Sequence, residues 1–140
     1  MINKALFSSN KCEWETPLEF FEELNQEFHF NLDPCALPEN AKCTDFFTPE
    51  VDGLKQTWKG RRVFVNPPYG KEIKKWVEKC YNESREKDTL VVLLIPARTD
   101  TAYFHDYILN FAKEIRFIRG RLRFGGSKFP APFPSMVVVF

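Results

Sequence analysis

The hydrophobic positions along the chain change period several times, and each change marks an element. In ETPLEFFEELNQEFHF, Leu18, Phe21, Leu24 and Phe28 recur at helical spacing, so an amphipathic helix is expected. Thr16 suits its N-cap, Pro17 its first helical position, and Glu19 completes a capping box. FNLDPCALPEN reads as a short strand ending at Asp33 followed by a loop, and residues 43–47 read as a second short strand. VDGLKQTW predicts a turn and a short helix, and RRVFV a buried strand. Residues 71–86 return to helical spacing, with Ile73, Trp76, Val77 and Cys80 on one face. TLVVLLIP is a continuous apolar run, the pattern of a parallel strand covered on both sides. TDTAYFHDYILNFA predicts a third helix, capped by Thr99 or Asp100. EIRFI and RLRF are strand-like, and SMVVVF is a last strand.

Strands alternating with helices predict an α/β fold: a mostly parallel, twisted sheet with helices on both faces. In such sheets ligands sit beyond the carboxyl ends of the strands. Three strands end in polar punctuation: Leu32 into Asp33 and Pro34, Val65 into NPPY, and Ile95 into PART. Parallel strands would open all three loops on one edge, which is the expected site.

A chain of 140 residues is expected to form one domain, with its first dozen residues loosely ordered and no separate target-recognition domain. Lys and Arg number 20 against 19 Asp and Glu, so any nucleic-acid partner has to be met by a local patch. Aromatic residues reach 16%, with 15 Phe, which predicts that some rings face a ligand rather than the core. Cys12, Cys35, Cys43 and Cys80 show no C-x-x-C spacing and the two histidines no metal-ligand spacing, so no metal is expected. With no leader pattern and no apolar run near the ~20 residues of a membrane span, a cytoplasmic protein with free thiols and no membrane partner is expected.

The chemistry concentrates in RVFVNPPYG, residues 62–70. Two adjacent prolines fix two φ angles and hold the preceding Asn66 extended where a strand stops. The Asn66 side-chain oxygen and the Pro67 carbonyl are then two rigid acceptors, which suit the two donors of an –NH2 group. Drawing both hydrogens out of the plane of an aromatic amine turns its lone pair out of conjugation. The nitrogen becomes a better nucleophile toward an electrophilic methyl group. Tyr69 can stack on the flat base that carries the amine. No covalent nucleophile with its own base is present, so direct transfer by positioning and electrostatics is implied.

In order along the chain, TPLEFFEEL, FNLDPCA, NPPYG, VVLLIPARTDT, IRFIRGRLRF and PAPFPSMVVVF resemble the phage-type adenine-N6 DNA methyltransferases that use S-adenosylmethionine. The resemblance runs from Trp14 to the final strand. It implies a compact Rossmann-like methyltransferase fold, reduced in its N-terminal half, and methylation of the N6 amine of a flipped-out adenine in DNA. It places Asn66, Pro67, Pro68 and Tyr69 around the target amine. It places Thr16, Pro17, Asp33, Pro34, Asn66 and, more distantly, Asp52 at the cofactor. Tyr69 together with Phe129 or Phe133 would sandwich the base. Arg98, Arg119, Arg121, Arg123, Lys71 and Lys128 would hold phosphates, and Gly125 and Gly126 would let the loop after them move.

Each residue also has a plainer reading. Thr16 can be only a helix cap, Asp33 a loop hydrogen-bond acceptor and Asp52 a turn residue. Arg121 and Arg123 can be the solvated face of a strand, Phe129 and Phe133 core plugs, and Trp14 is assigned to packing. Two departures from larger methyltransferases stand out. No glycine-rich turn follows Asp33, and the interval from Asp33 to Asn66 is short. They keep open a non-catalytic nucleic-acid-binding relative, while the NPPY chemistry alone equally serves RNA bases or protein amides.

Overall fold

The computed structural model describes residues 14–140, so the expectation of a loosely ordered first dozen residues lies outside the described part, as does Cys12. Helix α1 (Leu18–Phe28) buries Phe21, Leu24 and Phe28, three of the four positions expected from the pattern, and leaves Leu18 exposed. The expected cap does not form. Pro17, at φ −57° and ψ 134°, is the N-cap, and no side chain caps the helix. Thr16 lies one residue too early, and its hydroxyl is engaged elsewhere. At the other end His29 takes a left-handed conformation, and Asn25 Oδ1 accepts the Phe30 N–H at 2.7 Å, which turns the chain back toward the sheet.

The two short strands expected next shrink to single parallel bridges, Leu32 beside Val63 and Asp33 beside Phe46. Strand β1 (Arg62–Val65) then pairs in parallel with β2 (Leu90–Pro96), joined by a crossover through helix α2 (Ile73–Ser84). The remaining strands, β3 (Glu114–Phe117) and β4 (Ser135–Val139), pair antiparallel, and β4 also runs antiparallel to β2. The order is β1-β2-β4-β3. The sheet is therefore mixed rather than mostly parallel. A parallel return needs a crossover, and the segment between β3 and β4 holds only a short turn of 3-10 helix, Phe124–Gly126.

Two further expectations are corrected. RLRF is not a strand: the chain turns at Gly120, with φ 72°, and Phe124 is drawn into the core. The third helix is a single wide π-helical turn, Phe104–Ile108, closed by the Leu109 N–H on the Phe104 carbonyl at 2.8 Å. Thr101, not Thr99 or Asp100, accepts the Phe104 N–H, at 3.3 Å. Phe104 and Ile108 are its only buried anchors, too few to stabilise a longer helix by packing.

Alternation along the strands sorts the core into two layers. Val63, Val65, Val91, Leu93, Ile95, Met136 and Val138 face α2 and its Ile73, Trp76, Val77 and Cys80. Phe64, Val92, Leu94, Val137 and Val139 face α1 and its Phe21, Leu24 and Phe28. Helices thus cover both faces, as expected.

Trp58, fully buried, ties the 53–58 segment to α2. Its indole N–H donates to the Gly53 carbonyl at 3.0 Å, and its backbone N–H donates to Glu83 Oε1 at 2.5 Å. Lys79 lies over its ring and pairs with Glu83 at 3.1 Å. Gly53 itself is pressed against the 33–34 turn. A Cβ there would stand 2.1 Å from the Pro34 carbonyl oxygen. Gly53→Ala is therefore expected to destabilise the fold by about 1–3 kcal/mol, the usual cost of overpacking, read as a lower denaturant midpoint. An unchanged midpoint would mean that the Pro34 turn yields freely.

Candidate active site

The hydrophobic run of β1 delivers Asn66 to the carboxyl edge of the sheet, where the prolines stop the strand. The Asn66 amide nitrogen donates to the Trp14 carbonyl at 2.6 Å and to Thr16 Oγ1 at 3.0 Å. A carbonyl can only accept, so the atom facing Trp14 must be the NH2 end of the amide, and the orientation is fixed. Asn66 Oδ1 is consequently turned the other way. It is buried and has no hydrogen-bond partner among the described residues. Leaving a buried acceptor unsatisfied costs about 1–3 kcal/mol, which marks it as a position awaiting a donor. Thr16, only 4% exposed, is thus a brace for the amide rather than a helix cap.

Aromatic rings form the adjoining wall. Trp14 lies nearly parallel to Tyr69, with centroids 6.1 Å apart and 24° between planes. Phe133 and Phe124 meet Tyr69 edge-on, at 5.6 and 6.1 Å. The Tyr69 hydroxyl donates to the Leu94 carbonyl at 3.4 Å, and burial raises its pKa, keeping it neutral. Of the two rings expected opposite Tyr69 across the base, Phe133 instead packs edge-on against Tyr69 and lines neither cavity. Phe129 is 75% exposed. Trp14, expected only to pack, lines the cavity with Tyr69, and Phe124 packs edge-on behind both. Nothing local in the sequence distinguishes these two, because they reach Tyr69 from remote segments.

A cavity of about 460 Å³ opens beside Asn66, lined among others by Trp14, Thr16, Asp33, Lys42, Pro68 and Tyr69. The Asp33 carboxyl is buried and orders the loop after it. Oδ1 accepts the Cys35 N–H at 3.3 Å and Oδ2 the Lys42 N–H at 3.0 Å. Burial pushes its pKa up to about 6, against the opposing pull of those two N–H groups. Lys42 in turn pairs with Glu15 at 3.2 Å. A second cavity of about 290 Å³ shares Cys35, Pro68 and Glu72 with the first and includes Pro34 and Asp52. Asp52 Oδ1 accepts the Leu54 N–H at 3.1 Å, so the carboxylate also caps the turn, as its plainer reading holds.

The other expected residues lie outside these cavities. Pro17 lines neither of them. Residues 96–99 line neither as well, so only two of the three expected loops meet at the site. The Ala97 N–H is bound to the Pro134 carbonyl at 2.9 Å, which ties that loop to β4 instead. Arg98, Arg119, Arg121, Lys128 and Lys71 are exposed. Arg123 is exposed too, but its guanidinium donates to the Lys128 carbonyl. Among the described residues no cluster of His, Cys, Asp and Glu could hold a metal, and no helix is long and apolar enough to cross a membrane.

A rigid neutral acceptor, aromatic walls and a nucleoside-sized cavity together suit a flat ring bearing an exocyclic amine. Comparison with known proteins points the same way. The family model described as DNA N-6-adenine-methyltransferase (Dam) matches residues 4–133. A DNA N-6-adenine-methyltransferase of Haemophilus phage HP1 (strain HP1c1) is 36% identical over 112 residues, covering 79% of this chain and 64% of that protein. Another of Escherichia phage T1 is 33% identical over 107 residues, covering 73% of this chain and 43% of that protein. The chain thus spans less than two-thirds of the length of either relative.

The buried carboxyl generates a pH prediction. Asp33 is expected to titrate at about 6 rather than at its ordinary 3.8. Between those values the folded chain holds more protons than the unfolded one. The Asp33 contribution to stability therefore falls as pH rises from about 4 to about 6. Carboxyl ¹³C NMR checks the midpoint; titration at the ordinary value would show that Asp33 is well solvated.

Proposed function

Because the chain belongs to the DNA N-6-adenine-methyltransferase (Dam) family, we propose that the corner at residues 66–69 moves a methyl group from S-adenosylmethionine to N6 of an adenine in DNA. The observation that carries this reading is the partnerless Asn66 Oδ1 beside a wall of rings. The adenine amine offers two hydrogens, one for Asn66 Oδ1 and one for the Pro67 carbonyl. Both bonds draw the hydrogens from the ring plane and free the N6 lone pair. The same two carbonyl dipoles stabilise the positive charge that grows on N6 during attack, and N6 then gives up one proton to water. Tyr69, which lines the cavity, stacks on the base, whose hydrogen-bonding edge is reached only when it leaves the duplex.

The residues fit S-adenosylmethionine. The cavity of about 460 Å³ falls in the range of small-molecule sites, and Asn66 is among its lining residues. When bound, this cofactor supplies a methyl group carried on a positively charged sulfur. Asp33 forms part of the main cavity wall, and Pro34 and Asp52 part of the adjoining one. The loop after Asp33 has no glycine-rich turn, and the Asp33 carboxylate compensates by accepting two of its backbone N–H groups. Thr16 acts through Asn66, and Arg98, Arg121 and Lys128 offer exposed charge to phosphates.

Nucleoside mass spectrometry after incubation of unmethylated DNA with S-adenosylmethionine tests the reading. Wild type is expected to form N6-methyladenine, and Asn66→Ala to lose about a hundredfold or more in rate. Calorimetric binding of the cofactor should survive the substitution. Methylated RNA or protein without methylated DNA would keep the chemistry and replace the acceptor. No cofactor binding at all would leave a nucleic-acid-binding relative.

Thr16 gives a second prediction. Thr16→Val removes one of two bonds that orient the amide and should lower kcat by about tenfold at unchanged cofactor KM. Thr16→Ser should restore it. A raised cofactor KM with unchanged kcat would assign Thr16 to the cofactor instead.

A further inference from the structure

Phe129 is a puzzle for a folded protein. A phenylalanine gains about 1.5–3 kcal/mol from burial, yet this one is 75% exposed. It stands in a loop, residues 125–132, whose two feet are Phe124 and Phe133. Both feet are buried, and both contact Tyr69 and Trp14. The loop therefore rises from two rings packed behind the cavity-lining Trp14 and Tyr69.

The loop is braced rather than slack. The Gly125 N–H donates to the Glu15 carbonyl at 2.8 Å and the Ala131 N–H to the Leu122 carbonyl at 2.8 Å. The Arg123 guanidinium holds the Lys128 carbonyl, and Ser127 Oγ accepts the Phe129 N–H at 3.2 Å. Pro130 restricts Phe129 to extended conformations, so the ring is held away from the core behind it.

The stretch of chain that carries it has one sign of charge. No Asp or Glu occurs beyond Glu114, while Arg116, Arg119, Arg121, Arg123 and Lys128 all lie there. Arg116 is paired with Glu27 and Glu114. Arg119, Arg121 and Lys128 have no ion pair among the described residues and are exposed. An exposed apolar ring with unpaired cations close to it in the sequence, on a loop whose feet pack against the cavity-lining Trp14 and Tyr69, matches a nucleic-acid duplex: phosphates for the cations, a stack for the ring.

We propose that Phe129 is a wedge that enters the DNA duplex and fills the gap left by the departing adenine, while Arg119, Arg121 and Lys128 hold the flanking phosphates. The proposal rests on the methyltransferase reading and adds how the base is brought out of the stack. The wedge offsets part of the unstacking cost, which the chemistry at Asn66 does not touch. Its removal should matter only when the target base is paired.

The test uses oligonucleotide duplexes carrying the adenine mapped by sequencing wild-type product, placed opposite either thymine or an abasic position. Phe129→Ala should lose about tenfold or more in methylation rate on the paired duplex and come within about threefold of wild type on the abasic one. Phe129→Leu, still an apolar wedge, should keep most of the rate on both. With 2-aminopurine in place of the target, the fluorescence rise on binding should shrink for Phe129→Ala in the paired duplex alone. Equal rates for Phe129→Ala and wild type on the paired duplex would overturn the wedge, as would equal loss on both duplexes. A wild type that methylates the abasic duplex and never the paired one would overturn it too, leaving the methyltransferase reading intact. A wild type inert on DNA of every kind would sink that reading, and the wedge with it.

Discussion

The site depends on one side-chain amide being unable to turn over. Asn66 donates one hydrogen to the Trp14 carbonyl and the other to the Thr16 hydroxyl, which turns its buried oxygen away from residues 14–16. A freely rotating amide would present a donor there as often as an acceptor. The prolines that follow fix the backbone, but they do not choose between the two faces of the amide. That choice is made by residues 14–16, some fifty positions away.

Those residues also tie the rest of the site together. The Glu15 carbonyl accepts the Gly125 N–H, and its carboxylate pairs with Lys42 in the loop that Asp33 orders. The Trp14 ring lies along Tyr69 and touches Phe124 and Phe133. The acceptor, the aromatic wall and the cavity loop are thus connected through one short segment just ahead of α1.

Much of this was legible in the sequence where the signal is local. The periodic apolar faces of α1 and α2, the buried runs of β1 and β2, and the rigid NPPY corner follow from side-chain spacing and proline geometry. What was not legible depends on long-range partners. The direction of β4 is set by the lack of a crossover helix after β3, which a strand's own residues do not record. Thr16 reads as a cap because Thr-Pro before a helix does so in general, and only the fold brings Asn66 within 3.0 Å of it. RLRF has the alternation of a strand, yet the pull of Phe124 into the core takes it off the sheet. Phe129 and Phe133 are equivalent in the sequence and opposite in the structure, one at the apex of a loop and one at its foot.

The position of β4 has a consequence for how the molecule forms. It is the last of the four strands in the chain, yet it lies between β2 and β3, which do not pair with each other. Until it inserts, β3 has no partner in the sheet, and the 125–132 loop is tethered at one end only. During synthesis the earlier parallel half can collapse, but the ring wall waits for the final segment, because Phe133 immediately precedes β4. Nonlocal pairing of this kind slows folding and leaves strand edges open meanwhile. A nascent chain halted before β4 would carry the NPPY corner without the rings that pack behind Tyr69.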